Sequence, residues 1–175
     1  MSKRIIEDVI KEALTGDYQK NALELITYLR ANEMQIPLGE LETFIWEIKF
    51  KGELVCYFEL SAECWGVMSD QVPGTWINWS DGENNSLYED VTVDEHINEI
   101  AWANIRICEN TKSGAEPCGG ECSPGRRKMI LGKEFENVCV SALGLYGTDV
   151  EKYPDMLECM KKMIEARKND ILNMR

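Results

Sequence analysis

The residues with the greatest capacity for chemistry are crowded into one stretch, Cys118-Gly119-Gly120-Glu121-Cys122-Ser123-Pro124-Gly125, and Arg126-Arg127-Lys128 follows at once. Two cysteines with three residues between them have the spacing of half a tetrahedral zinc site, because two to four intervening residues let both sulfurs reach one ion. Gly119 and Gly120 permit the tight backbone such a chelate needs. Two further ligands are required, and Cys108 and Cys139 are the nearest. Cys108, Cys118, Cys122 and Cys139 are therefore candidate zinc ligands, although their spacing is not that of a familiar zinc ribbon. Two other readings stand beside this one. Cys108 and Cys139 can be small buried hydrophobes, as free cysteines often are, which leaves Cys118 and Cys122 as loop thiols. Alternatively Cys118 and Cys122 form a redox pair whose thiolates are favoured by the basic run downstream. The extra residue and Pro124 depart from the usual Cys-x-x-Cys arrangement.

The same stretch imitates a phosphate-binding loop, since Gly120 and Gly125 stand at P-loop spacing. Arg126 and Arg127 occupy the places where a lysine and a hydroxyl are required, and Pro124 removes a backbone donor. Nucleotide hydrolysis is excluded on that ground. Arg126 and Arg127 remain candidates for a looser anion contact. General acid–base catalysis has one possible histidine, His96, with Glu95 and Glu99 nearby on a predicted helix. No convincing nucleophile accompanies it, and a surface histidine is the plainer reading. Five tryptophans, Trp46, Trp65, Trp76, Trp79 and Trp102, are candidate linings for a small-molecule pocket. They can equally fill the core between a sheet and its helices.

These residues need elements to position them. Ile5, Ile6, Val9, Ile10, Ala13 and Leu14 form one apolar stripe and predict a helix over 3–15. Gly16 reads as its stop. Asp17 reads as the cap of a second helix over 18–32, with Ala22, Leu25, Ile26 and Leu29 inward. This helical hairpin is not read as a DNA-reading helix-turn-helix, because its second helix carries Glu24 and the whole chain is acidic. Period-two alternation over 44–50 and 54–60 around Lys51-Gly52-Glu53 predicts a β-hairpin. Further strands are expected over 64–68 and 75–79. Residues 80–91 resemble a calcium loop at Asp81, Glu83 and Asn85. Ser86 and Thr92 replace the required glycine and acid, so a solvated loop is expected.

Thr92-Val93-Asp94-Glu95 reads as a capping box opening a helix over 93–108, with Cys108 at its end. Met129-Ile130-Leu131 predicts a short strand and 138–145 a buried one. The segment 132–137 is ambiguous. Pro154 suits the first turn of a last helix over 154–172, with Leu157, Met160, Met163, Ile164 and Ile171 inward. Asp155 and Glu158 face its positive end.

The chain has 175 residues, 44% of them hydrophobic and 29% charged, which is the balance of an ordinary globular domain. A net charge of −12 argues against nucleic acid and against anionic membranes as partners. No apolar run approaches the roughly 20 residues a membrane helix needs, and the N-terminus lacks the features of a signal peptide. Seven cysteines, an odd number, favour a reducing, cytoplasmic setting with free or metal-bound thiols.

The stretch Ile100-Ala101-Trp102-Ala103-Asn104, Cys108, Cys118 to Gly125, and Ile130-Leu131-Gly132-Lys133-Glu134-Phe135-Glu136-Asn137-Val138-Cys139 resembles a domain of uncharacterised bacterial proteins. Some of these carry it beside transcription-regulator segments. The resemblance covers the C-terminal half and implies that the loop and its neighbouring cysteines form one unit. It brings no activity, cofactor or catalytic residue.

The expectation is a single α+β domain over 1–175. It comprises a helical hairpin (1–33), antiparallel strands (44–80), and a region of helix, cysteine loop, strands and C-terminal helix (92–175). Its expected function is that of a cytoplasmic module binding a small molecule or a protein partner, with the cysteine loop stabilised by zinc. The alternative is a thiol-dependent enzyme or redox protein using Cys118 and Cys122.

Overall fold

Two X-Gly dipeptides set the register of two β-hairpins. The structure is a computed structural model and describes residues 4–38, 45–61, 76–80, 91, 93–108, 125–146 and 153–173. Strands β1 (Ile45–Phe50) and β2 (Glu53–Ser61) pair antiparallel with Phe50 opposite Glu53. Only Lys51 and Gly52 connect them, at φ 52° and 90°. Positive φ at both positions marks a type I′ turn, whose twist matches that of the strands it joins. Strands β5 (Arg126–Ile130) and β6 (Lys133–Tyr146) repeat the device, with Ile130 opposite Lys133 and φ values of 50° at Leu131 and 75° at Gly132. Leu131 holds a left-handed conformation that costs a non-glycine residue about 1–2 kcal/mol. It is nevertheless almost fully buried in the core, so the tip of this hairpin is anchored inward.

The remaining strands are β3 (Trp76–Ser80) and β4 (Ile105–Ile107). Among the described residues all pairings are antiparallel, in the order β1-β2-β3-β6-β4, with β5 also on β6. The 14-residue β6 is the common strand. Val138 pairs with both Arg126 of β5 and Ile107 of β4. Gly144 to Tyr146 pair with β3.

Bulges shift the register at two points. In the first hairpin Ile48 faces Cys56 but Lys49 faces Leu54. Val55 is the extra residue, and both it and Cys56 are buried. In β6, Glu136 and Asn137 together oppose Arg127, with Asn137 at φ 56°. Asparagine tolerates that conformation better than most residues.

Among the described residues four helices complete the α+β fold: α1 (Ile6–Ala13), α2 (Gly16–Ala31), α3 (Glu95–Ala103) and α4 (Tyr153–Asn173). Ile6, Val9 and Ile10 of α1 and Ala22, Leu25, Ile26 and Leu29 of α2 share one core with Trp46, Ile48, Phe50, Phe58 and Leu60 of the sheet. The α4 stripe, Leu157, Met160, Met163, Ile164 and Ile171, joins the same core. Arg167 of α4 is buried to 7% exposure. Its Nε donates to the Leu54 carbonyl (3.1 Å) and its guanidinium pairs with Asp170 (2.7 Å).

The helical hairpin, the 44–60 hairpin and the last helix stand where the periodicity places them. Other boundaries differ. Gly16 begins α2 at φ 59° instead of ending α1. The free carbonyls at the end of α1 are met by Gln19, whose Nε2 donates to Leu14 (2.6 Å) and Lys11 (3.2 Å). The predicted helix over 93–108 stops at Ala103. Asn104 turns its Nδ2 onto the Ile100 carbonyl (2.8 Å), and β-branched Ile105 and Ile107 pair with β6. Asp94 precedes α3 without a side-chain cap bond, and Thr92 lies outside the described residues. The ambiguous segment 132–137 is turn and strand. The expected strand over 64–68 and most of the 80–91 loop lie outside the described residues. No described helix is long and apolar enough to cross a membrane.

Candidate functional site

The cysteine-bearing region is built on the β6 bulge. Cys108 follows β4 directly, so it sits at a strand end and not, as its helical spacing suggests, at a helix end. It is buried, and its backbone N–H donates to the Asn137 carbonyl at 2.6 Å. Gly125, immediately before β5, lies against the same two residues. A Cβ on Gly125 would stand 2.6 Å from the Asn137 carbonyl oxygen and 2.6 Å from Cys108 Cβ. Only glycine permits this approach. The segment 109–124 therefore leaves and re-enters the described structure at one point, where Cys108 and Gly125 touch over Asn137.

Cys139 lies on β6 two residues past Asn137 and is half-buried. Lys128 Nζ donates to its carbonyl at 3.2 Å. Cys108, Cys139 and Cys159 are free thiols. Burial pushes the Cys159 thiol up to about 12, with Glu158 adding to the effect, so this cysteine is inert at neutral pH. Cys118 and Cys122 lie outside the described residues. Among the described residues no three metal-ligating side chains converge.

Arg126 and Arg127, the anion candidates, are both exposed on β5. Arg127 is engaged by two carboxylates of β6, Glu136 in a short ion pair and Glu134 at 3.4 Å. The Glu136 hydrogen bond, with both negative charges, holds its guanidinium above the ordinary arginine value.

The tryptophans divide. Trp46 is 2% exposed and packs on Phe58 with ring centroids 5.8 Å apart at 48°, which makes it a core residue. Its Nε1 has no hydrogen-bond partner among the described residues. Trp76 and Trp79 belong to β3, where Trp79 is in register with Phe58 and Leu145. Trp65 lies outside the described residues. Trp102 of α3 is half-buried, and its Nε1 donates to the Ile130 carbonyl at 2.9 Å. The Lys133 ammonium stands 4.9 Å from the Trp102 ring centroid and 5.2 Å from that of Phe135. The catalytic candidate His96 is exposed and meets Asp155 of α4 at 3.1 Å, a surface tie between two helices.

Sequence reading missed three features of this region: the closure at Gly125, the bulge at Asn137, and the cluster of Trp102, Lys133 and Phe135. The Lys-Glu-Phe-Glu alternation over 133–136 carried the signal for the last, since period two puts Lys133 and Phe135 on one face. No protein-family model, curated protein or solved structure matches the chain.

Proposed function

We propose that the protein is a cytoplasmic, non-enzymatic module that binds a small molecule or a protein partner, with the cysteine loop that runs from Cys118 to Gly125 stabilised by zinc. The supporting observation is the closure of that loop at its base. Gly125 lies against Cys108 and the Asn137 carbonyl, so the chain between them starts and ends beside Cys108 and two residues from Cys139. Sulfur ligands contributed by Cys118 and Cys122 then have two further cysteines anchored at the loop's root. Zinc held by Cys108, Cys118, Cys122 and Cys139 would give a glycine-rich segment a fixed shape without a hydrophobic core of its own. The engagement of Arg127 by Glu134 and Glu136 weakens the redox alternative, because less of its charge is left to favour a thiolate. The acidic balance of the chain speaks against nucleic acid as the partner.

Metal analysis of protein purified without chelator tests the reading. About one zinc per chain, lost in Cys118→Ser, together with a lower melting temperature after chelation, is expected. Metal-free protein whose stability ignores chelators would sink it. Thiol labelling at neutral pH separates the redox alternative, which requires one of Cys118 and Cys122 to react far faster than the rest. Cys159 serves as the internal slow standard.

A further inference from the structure

Trp102 and Phe135 share one cation, the ammonium of Lys133. Trp102 is fixed by its hydrogen bond to the Ile130 carbonyl, and both rings pack on the hydrophobic core. Lys133 is exposed, begins just after the Leu131-Gly132 turn, and reaches the rings on a flexible four-carbon stem. Its ammonium is within the roughly 6 Å at which a ring face attracts a cation, at 4.9 Å and 5.2 Å from two different rings. No carboxylate partner holds Lys133 among the described residues. Two pre-positioned aromatic faces under the ammonium of an exposed lysine make a site that another ammonium can occupy. A chain of net charge −12 raises the local concentration of such cations.

We propose that Trp102 and Phe135 form a binding site for an alkylammonium group, which Lys133 occupies when no ligand is present. This names a ligand class for the binding-module reading and rests on that reading for its purpose, but on none of the cysteines for its chemistry. Lys133 acts as a built-in competitor. It keeps the apolar ring faces covered and sets a threshold that an incoming ammonium must exceed. A quaternary ammonium gains more than lysine here, because its methyl groups carry the charge on an apolar surface that costs less to desolvate.

The test is a titration of the full chain with tetramethylammonium chloride, against sodium chloride at matched ionic strength. The indole N–H resonance of Trp102, identified by its loss in Trp102→Leu, is the reporter. A saturable shift is expected in the wild type. Half-saturation should fall roughly tenfold in Lys133→Ala, which removes a competitor held by two rings. Phe135→Leu should raise half-saturation in the Lys133→Ala background. Lys133 is exposed, so its removal leaves the fold intact, and circular dichroism of each variant checks this. A Lys133→Ala protein that shows only the sodium chloride response, or that binds no more tightly than the wild type, overturns the proposal. Zinc content measured on the same samples keeps the outcome separate from that of the cysteine site.

Discussion

Gly125→Ala is the sharpest probe of the loop base. Gly125 does not have the positive φ that would penalise alanine. In isolation the change should therefore stabilise by about 0.4–1 kcal/mol, by restricting the unfolded chain. The environment opposes this. The new methyl would lie 2.6 Å from the Asn137 oxygen, 2.7 Å from its carbonyl carbon and 2.6 Å from Cys108 Cβ, where ordinary contact begins near 3.4 Å. None of these atoms can rotate away, because two are backbone and the third is the root of its side chain. Relief requires β4 and β5 to separate at β6. Overpacking of this kind costs about 1–3 kcal/mol. Stretching the Cys108 N–H to Asn137 bond adds about 0.5–1.5 kcal/mol. The clash outweighs the entropy gain, and the net expectation is a loss of about 0.5–4 kcal/mol. Urea unfolding at unchanged slope measures it, and alkylation of Cys108, followed by peptide mapping, should quicken. A variant as stable as the wild type, with Cys108 labelled no faster, would refute the closure argument.

Three further outcomes follow from the fold. The two I′ turns should respond oppositely to asparagine at their first position. Lys51→Asn should stabilise by up to about 1 kcal/mol, because Lys51 is exposed and asparagine suits positive φ. Leu131→Asn should destabilise by about 1–3 kcal/mol, since the burial lost exceeds the strain relieved; thermal melts of both decide it. Arg167→Met should cost about 1–3 kcal/mol by removing the donor to the Leu54 carbonyl and the partner of Asp170, read from the urea midpoint. The Arg30 hydrogen bond holds the Glu7 carboxyl below the usual carboxylate range. Its contribution is therefore complete above the unfolded value of about 4.3 and is lost as pH falls through the lowered folded value. Arg30→Gln should flatten the acid limb of stability against pH, and an unchanged limb would show that the pair contributes nothing.

What could be read in advance was what depends on local period. The 44–60 hairpin announced itself by alternation around Lys51-Gly52, and α4 by its apolar stripe and Pro154. The end of α3 did not, because Ile105 and Cys108 continue a helical stripe as well as they form a strand. Pairing with Leu143 and Val138, more than 30 residues on, decides between the two, and no local window contains it. The strand over 133–137 was hidden by its polar composition, although its alternation is regular. Of the candidate site, the chain order of Cys108, Cys139, Arg126 and Trp102 was legible, but their company was not. The closeness of Gly125 to Cys108 depends on the bulge at Asn137, and a bulge is a property of two strands together. Trp46 was a candidate pocket residue on its type alone, and the helices packed over β1 make it core.

The base of the cysteine loop is made almost wholly of backbone: a glycine contact, an N–H to carbonyl bond, and an asparagine in a left-handed bulge. None of these draws on the side chains of residues 109–124. The platform and the loop chemistry are therefore separable by mutation, which gives the zinc proposal a stricter test than metal content alone. Gly125→Ala should lower stability even in metal-free protein, because the clash it creates involves no sulfur of Cys118 or Cys122. Cys118→Ser should leave metal-free stability unchanged and abolish only the increment that zinc supplies, which grows with free zinc as RT ln(1 + [Zn]/Kd). If zinc is held partly by Cys108, the two effects must also couple. Displacing Cys108 from Asn137 moves a ligand, so Gly125→Ala should weaken zinc binding in a protein that keeps all four cysteines. Additive effects of the two changes, with full zinc affinity in Gly125→Ala, would place the metal elsewhere and return Cys108 to the role of a buried apolar residue.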